Sequence, residues 1–584
     1  MNKLRRFSAD FLILAAIACS SYAAPSEAQN PKAFTNPWGQ THTSRYIVEG
    51  ASVELVQDGI KRVGGKVRQT LTIVKGVSAD LTAAEANTLQ SSGEFRLFAD
   101  RAVTTKAPKS FASPTSVFTD GTAVVAKKNR FQTNYPILVG ADVLQVRGIT
   151  GKGVTIAVLD TGLWINRADN FKSRILASVD ILNGGRSVSG DQYGHGTHIT
   201  SIAAGGHVTP SGHYSGIAPN ANLVIVRAFD GEGEGSYTNV IAGLSWIVAN
   251  RQKYKIRVVN LSFGAPAQSN YWDDPLNQAV MATWKAGIVV VASAGNEGPA
   301  PMTIGVPGNV PYVVTVGAQT DNFTPFNPTD DRLASFSSTG PTFEGFVKPE
   351  MVAPGGHMVG SMWYQSYLAN IDPGSMNKHE FLFTMSGTSQ AAAVTSGVVA
   401  LMLQADPTLT PDKVKCRLIA SASPAVNSAG ALAYSVFQQG AGLVNAVNAV
   451  NSVAANCANQ GLNVGADLAG TAHFGGPANQ DSSGNFYIMD MANGVWGSPL
   501  SGDGYTWTQG YTWTQGYTWT QGYTWTQGYT WTQGYTWTQG YTWTQGCTRS
   551  AGYAWSASLP WWGTTGVLNT STAPASIETW VPNE

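Results

Sequence analysis

The stretch Gly153–Gly162, GVTIAVLDTG, decides the fold. From Val154 to Leu159 it is apolar or nearly so, it follows a glycine, and it ends on a carboxylate and a Thr-Gly turn. A strand written without polar alternation is buried on both faces, which belongs to a parallel sheet. Comparable runs recur at NLVIVRAF (222–229), IRVVNLSFG (256–264), GIVVVASAGN (287–296) and YVVTVGA (312–318). Between them lie stretches of helical character, SYTNVIAGLSWIVANR (236–251) and DPLNQAVMATWKAG (274–287). Strand and helix in alternation predict a doubly wound, mainly parallel α/β sheet with helices on both faces. Ligands of such sheets sit beyond the carboxyl ends of the strands. Those ends read Asp160-Thr161-Gly162, Ser262-Phe263-Gly264 and Gly295-Asn296-Glu297.

A nucleophile needs a base within hydrogen-bond reach, and the base needs an orienting carboxylate. Ser389, in the small-residue run GTSQAAAV (387–394), is the candidate nucleophile at the start of a buried helix. His195, between Gly194 and Gly196 at the head of a small-residue helix, is the candidate base. His198, three residues on, raises a metal reading, but the glutamate that a catalytic HExxH zinc site needs is absent. Asp160 closes a buried strand, where a carboxylate is costly unless it is paired. Asn296, in a glycine-flanked loop after another buried strand, is the candidate oxyanion donor, together with the backbone N–H of Ser389 and its helix dipole. Each residue alone has a bland reading as a cap or a turn former. Their joint placement at the strand ends and helix starts of one sheet does not.

The blocks AVLDTG (157–162), GHGTH (194–198), NLSFG (260–264), SAGNEG (293–298), KPEMVAPG (348–355) and SGTSQAA (386–392) resemble those of the subtilisin-like serine peptidases. The resemblance runs from about Pro136 to Val450. It implies a serine endopeptidase in which Asp160 orients, His195 is general base and then acid, Ser389 attacks, and Asn296 donates to the oxyanion. It also implies that Ser262, Phe263 and Gly264 pair with the substrate backbone as an added strand. Ser293, Ala294 and Gly295 would wall the pocket for the residue before the cut. Ala393 stands where the family commonly has proline, a departure in pre-organisation and not in chemistry. No cofactor is required for this chemistry. The resemblance brings structural calcium into consideration, with no ligands assigned and no metal site expected from the residues.

Upstream, Arg45 to Val103 reads as strand, helix, two strands, helix, strand, a split βαβ arrangement. Thr82 and Glu85 have the spacing of a capping box. This small α+β, ferredoxin-like unit resembles the inhibitory propeptide of these peptidases, and its C-terminal segment is expected to lie in the cleft until cut. The expected organisation is a signal peptide (1–28), a propeptide and linker (29–130, inhibitor-like core 45–105), a peptidase domain (131–457) and a C-terminal extension (458–584). The signal reading rests on Lys3, Arg5 and Arg6 before the apolar Phe11–Cys19 and small residues after it. Cys19 raises a lipoprotein alternative, which Ala16 disfavours.

Lys plus Arg and Asp plus Glu both total 36, so no nucleic-acid footprint is written in the charge. Charged residues make up 12% and glycine numbers 64, which suits a loop-rich secreted chain. GYTWTQ repeats seven times without change at 504–545. Its even period puts every Tyr, Trp and Gln on one face of an extended chain and every Gly and Thr on the other. The tail reads either as an aromatic platform for glycan, cell-surface or self-association, or as a low-complexity linker. Of the 4 cysteines, Cys19 lies in the signal segment, which leaves 4 − 1 = 3: Cys416, Cys457 and Cys547. A Cys416–Cys457 bridge would tie down the end of the peptidase domain, with Cys547 free or intermolecular. A Cys457–Cys547 bridge and three free thiols are the alternatives. The sequence therefore predicts an exported, self-processing serine endopeptidase acting on proteins or peptides, with its own propeptide as intramolecular inhibitor. The rival is a surface or adhesive protein in which the repeat tail carries the main role.

Overall fold

The computed structural model describes residues 42–103 and 131–488, apart from 132–133, 166, 188–189, 210–211, 325–326, 328–329, 428–430 and 481–484. It also describes two-residue strands at 511–512, 526–527 and 534–535. The expected signal segment, the 104–130 linker, Cys547 and most of the repeat tail lie outside the described residues.

Residues 43–103 form a four-stranded antiparallel sheet with two helices. Its order is Lys66–Leu71, Gly76–Thr82, Thr43–Glu49, Arg96–Ala99. The helix Val53–Val63 starts at Ser52, whose hydroxyl accepts from Leu55 N, and stops at Gly64 in the left-handed region (φ 90°). Thr82 and Glu85 make the reciprocal capping box at the head of Ala83–Ser91. The last strand differs from its expected single run. It breaks at Asp100–Arg101, and Ala102–Val103 leaves the small sheet to pair antiparallel with Gly235–Ser236.

The large sheet runs Arg332–Leu333, Val314–Thr320, Val289–Ser293, Ile256–Leu261, Thr155–Asp160, Asn222–Arg227, Ile175–Asp180, with Met351–Pro354 also paired to Val314–Thr320. Every pairing in it is parallel except that of Arg332–Leu333. From Thr155–Asp160 the chain first builds to one side, then crosses back to Ile256–Leu261. The strand order reverses between those two strands, and a crevice opens there at their carboxyl ends. The helix Thr388–Ala405 is buried almost throughout, as a helix without a polar face must be. It packs on the sheet and on the helix His195–Ala204. A separate three-stranded antiparallel sheet, Met358–Ser361, Leu382–Met385 and Met376–Asn377, was not expected.

Packing also continues past Cys457, where the domain was expected to end. Asp467 is buried and accepts from the hydroxyls of Tyr271 (2.6 Å) and Tyr312 (3.0 Å). His473 Nδ1 lies 2.8 Å from its other oxygen. Phe474–Gly475 pairs antiparallel with Tyr511–Thr512 of the second repeat, and Thr526–Gln527 pairs with Gly534–Tyr535. No described helix is long and apolar enough to cross a membrane.

Candidate active site

Asp160 ends its strand at the switch point, 1% exposed. Its carboxylate faces His195 Nδ1 at 2.8 and 3.0 Å and accepts from Thr161 N at 2.7 Å. An acceptor at Nδ1 fixes the proton there and leaves Nε2 as the basic nitrogen. His195 is the first residue of its helix, and Gly194 before it takes φ 107°, which disfavours a side chain. Gly196 is required for a different reason: a Cβ there would collide with the backbone of Gly162 and stand 3.2 Å from Asp160 Oδ1. Helix and strand end thus approach closely enough for the His195–Asp160 bond.

Sequence reasoning missed Asp191. Buried four residues before His195, it accepts from Gly194 N (2.8 Å), Thr197 N (2.9 Å) and Thr197 Oγ1 (2.8 Å). It satisfies free N–H groups at the helix start and places negative charge at the positive end of the dipole. Thr161 helps from the other side, its Oγ1 accepting from Gly196 N at 2.9 Å. A carboxylate shortly before GHGTH is the signal that was present.

Ser389 lies in the first turn of Thr388–Ala405, fully buried. Its Oγ lies 3.2 Å from Ser262 O, and Ser262 Oγ donates to Ser389 O at 3.0 Å. Asn260 and Ser396 extend this network, so the strand end and the helix start are locked together. Asn296 Oδ1 accepts from Thr388 N and Thr388 Oγ1, both at 3.0 Å. With the oxygen so held, the amide Nδ2 turns toward Gly387. A Cβ on Gly387 would stand 3.3 Å from Asn296 Nδ2 and 3.7 Å from Ser389 N. Asn296 Nδ2 and Ser389 N thus both lie close to the position left by the missing side chain, where Gln390 Oε1 stands nearer still at 2.7 Å. Two N–H donors converging on one point can stabilise an oxyanion.

Ser262, Phe263 and Gly264 follow directly from the strand Ile256–Leu261, and Ala265 then bridges to Val306. Phe263 is buried against Phe229, ring centroids 5.3 Å apart. Ser293 Oγ donates to Phe263 O at 3.3 Å, and Ala294 N to Val316 O at 3.0 Å. Gly295 (φ 109°) has no room for a side chain next to Ser338 Oγ. Both segments therefore converge on the crevice that holds Ser389. His198 is not with them. Its Nε2 meets Phe383 O at 3.0 Å, and burial pushes it down to about 3, so it stays neutral. Among the described residues no three His, Cys, Asp or Glu side chains gather as a metal would need. Cys416 and Cys457 are joined in a disulfide, Cα atoms 5.1 Å apart.

A family model described as the Subtilase family matches residues 151–442. The chain is 40% identical over 272 residues to the serine protease AprX of Bacillus subtilis, covering 46% of this chain and 60% of that one. It is 31% identical over 315 residues to subtilisin DY of Bacillus licheniformis, covering 53% of this chain and 94% of that one. The crystal structure of fervidolysin from Fervidobacterium pennivorans, described as a keratinolytic enzyme related to subtilisin, shares the fold. It does so with a TM-score of 0.54 at 21% identity, over 71% of this chain and 62% of that one.

Proposed function

The chain belongs to the subtilase family, and on that premise we propose that it is a secreted serine endopeptidase, made as a zymogen that processes itself. The observations that carry the reading are the buried Asp160–His195 bond, Ser389 buried in the first turn of its helix, and the two N–H donors around Gly387. Nε2 of His195 takes the Ser389 proton as Oγ attacks the substrate carbonyl. Asn296 Nδ2 and Ser389 N stabilise the oxyanion, and the imidazolium, held by Asp160, then protonates the departing amine. Water repeats the cycle on the acyl-enzyme. No cofactor enters these steps. A fluorophosphonate probe tests the assignment: labelling at Ser389 supports it, and an unlabelled mature protein refutes it.

Asn296→Ala is expected to lower turnover by roughly a hundred- to thousandfold while KM changes little. That figure is carried over from the equivalent donor of subtilisin. Steady-state kinetics on a peptide substrate decide it, and an unchanged kcat removes Asn296 from the site.

Residues 43–103 serve as the inhibitory propeptide. Asp100 Oδ1 accepts from Thr238 N at 2.9 Å, at the head of the helix Tyr237–Tyr254, and Arg101 O accepts from Tyr237 N. The strand Ala102–Val103 then runs antiparallel along Gly235–Ser236. The first cut falls beyond it, between Thr104 and Arg130. The repeat tail, exported with the enzyme, offers glycan or cell-surface contact, which binding of the isolated tail to glycans would test.

The docked propeptide should loosen as pH rises. Glu49, 5% exposed, lies near Asp273 and Asp274 at the start of the helix Pro275–Lys285. Burial chiefly, opposed by Arg96 and aided by the two aspartates, raises its pKa to about 8. Asp100 and Asp274 are also raised, each by burial first. A raised acid favours the docked state while it is protonated. That contribution is complete below the ordinary glutamate range and is lost as pH climbs to about 8. Retention of the cut propeptide, followed by gel filtration from pH 5 to 9, should fall steeply, and Glu49→Gln should flatten the curve. Retention that does not change with pH would refute the assignment to Glu49.

A further inference from the structure

The antiparallel sheet Met358–Ser361, Leu382–Met385 and Met376–Asn377 carries a connecting segment that the catalytic steps do not use. This segment is fastened beside the catalytic histidine. Tyr367 N donates to Gln192 O (2.8 Å) and Leu368 N to Tyr193 O (3.1 Å), and the rings of Tyr367 and Tyr193 stack at 5.5 Å. A Cβ on Gly194 would stand 2.8 Å from Ser366 Oγ and 3.1 Å from Met362 Sδ. The segment therefore packs directly on the residue before His195.

Three rings form a row along this side. Trp164, four residues after Asp160, is held by its backbone N–H, which donates to Thr197 Oγ1 at 2.9 Å. Phe381 lies 5.3 Å from Trp164 between ring centroids, and Tyr364 lies 6.2 Å from Phe381. Trp164 and Phe381 are only half-buried, Tyr364 is 38% exposed and the adjoining Ile165 43%. Phe381 also sits at φ 56° just before the strand Leu382–Met385, a left-handed position that glycine or asparagine takes with little strain. A bulky ring kept in strained backbone, without full burial to offset it, points to use of the ring at the surface.

The chemistry says which part of a substrate would meet it. The acyl side of the cut is served by 262–264 and by Gly235–Ser236, against which Ala102–Val103 already runs. The amine that His195 protonates belongs to the residue after the cut, so the chain beyond the cut passes on the histidine side. We propose that Trp164, Phe381 and Tyr364 bind an apolar, preferentially aromatic, side chain within the first two residues after the scissile bond. The enzyme thereby selects substrates on their leaving-group side. This inference rests on the endopeptidase reading.

The test uses the matured full-length protein and pairs of internally quenched peptides, identical before the cut, with Phe or Gly at each of the two positions after it. Hydrolysis of a peptide methyl ester, whose small leaving group places no ring or side chain beyond the cut, is the reference for each variant. The wild-type kcat/KM ratio of Phe to Gly peptides is expected to be on the order of tenfold, the scale of one apolar pocket contact. Tyr364→Ala and Phe381→Gly should each move it toward one. Phe381→Gly relieves the left-handed strain, so its melting temperature should not fall. Equal turnover of both peptides by the wild type, or a ratio that both variants keep, overturns the inference. A lowered melting temperature of Phe381→Gly with the ratio kept also overturns it, in favour of a packing role. No hydrolysis of the methyl ester by the wild type overturns the endopeptidase reading as well.

Discussion

Ser389→Ala is expected to remain a full-length precursor and to lose about a millionfold in turnover, the scale set by loss of the triad serine in subtilisin. The substitution removes one oxygen and leaves its surroundings in place. Asp160 still holds His195, and Asn296 is still turned by Thr388, because neither set of bonds involves Ser389 Oγ. The residue left buried in the helix is a methyl group among small side chains, so the fold should persist. With the nucleophile gone, the chain after Val103 stays joined to the propeptide strand that runs along Gly235–Ser236. Mass spectrometry of protein refolded in isolation from other peptidases shows the outcome directly. A variant that still cuts itself between Thr104 and Arg130 would mean that another group does the cutting. The zymogen reading would then fail, even if Ser389 serves other substrates.

Much of this arrangement could be read from the chain, and the limits of that reading have physical causes. The strand Thr155–Asp160 was legible because a strand buried on both faces must be written in apolar residues. The helices of the small unit were legible because Thr82 caps one locally and glycines at 64–65 end the other. The strand Ile175–Asp180 was not, since it lies at the sheet edge, where partly exposed positions dilute the pattern. The four-residue strands near 358–361 and 382–385 are too short to show a period, and their pairing spans about twenty residues of intervening chain. At the site, Asp160, His195, Asn296 and Ser389 announced themselves by type and position. Asp191 did not, because its role depends on a turn that brings it back over the helix start. The packing beyond Cys457 was not legible for a similar reason. A single aspartate, Asp467, anchors the later chain through tyrosines 196 and 155 residues earlier, and no local signal records that.

Glu350→Gln is expected to destabilise the protein by about 3–5 kcal/mol, the usual cost of unpairing a buried charge. Glu350 belongs to KPEMVAPG, a block whose family likeness says nothing of its chemistry. In the structure its carboxylate takes two ammonium groups at once. Lys348 Nζ lies 2.7 and 2.9 Å from its oxygens, and Lys415 Nζ lies 2.9 Å from Oε1. All three side chains are fully buried. Burial pushes Lys348 down to about 7 against the pull of Glu350, and it lowers Lys415 as well. Each lysine also reaches backbone: Lys348 bonds Val313 O, and Lys415 bonds Pro311 O and Tyr312 O. Asn459, two residues past the Cys416–Cys457 bridge, accepts from Lys415 at 3.1 Å. The carboxylate thus ties the strand Val314–Thr320, the helix Pro411–Ser421 and the chain after the disulfide into one buried knot. Glutamine keeps the shape but removes the charge that holds the lysines protonated, so each must remain an unpaired buried ammonium or give up its proton. Replacing all three residues by apolar side chains, Lys348→Met, Glu350→Leu and Lys415→Met, removes every charge and should restore most of the loss. Denaturant unfolding in the Ser389→Ala background, where self-digestion is absent, separates the two cases. A single-variant loss below about 1 kcal/mol, the range of an exposed pair, would show that water or a neutral lysine already relieves the charge.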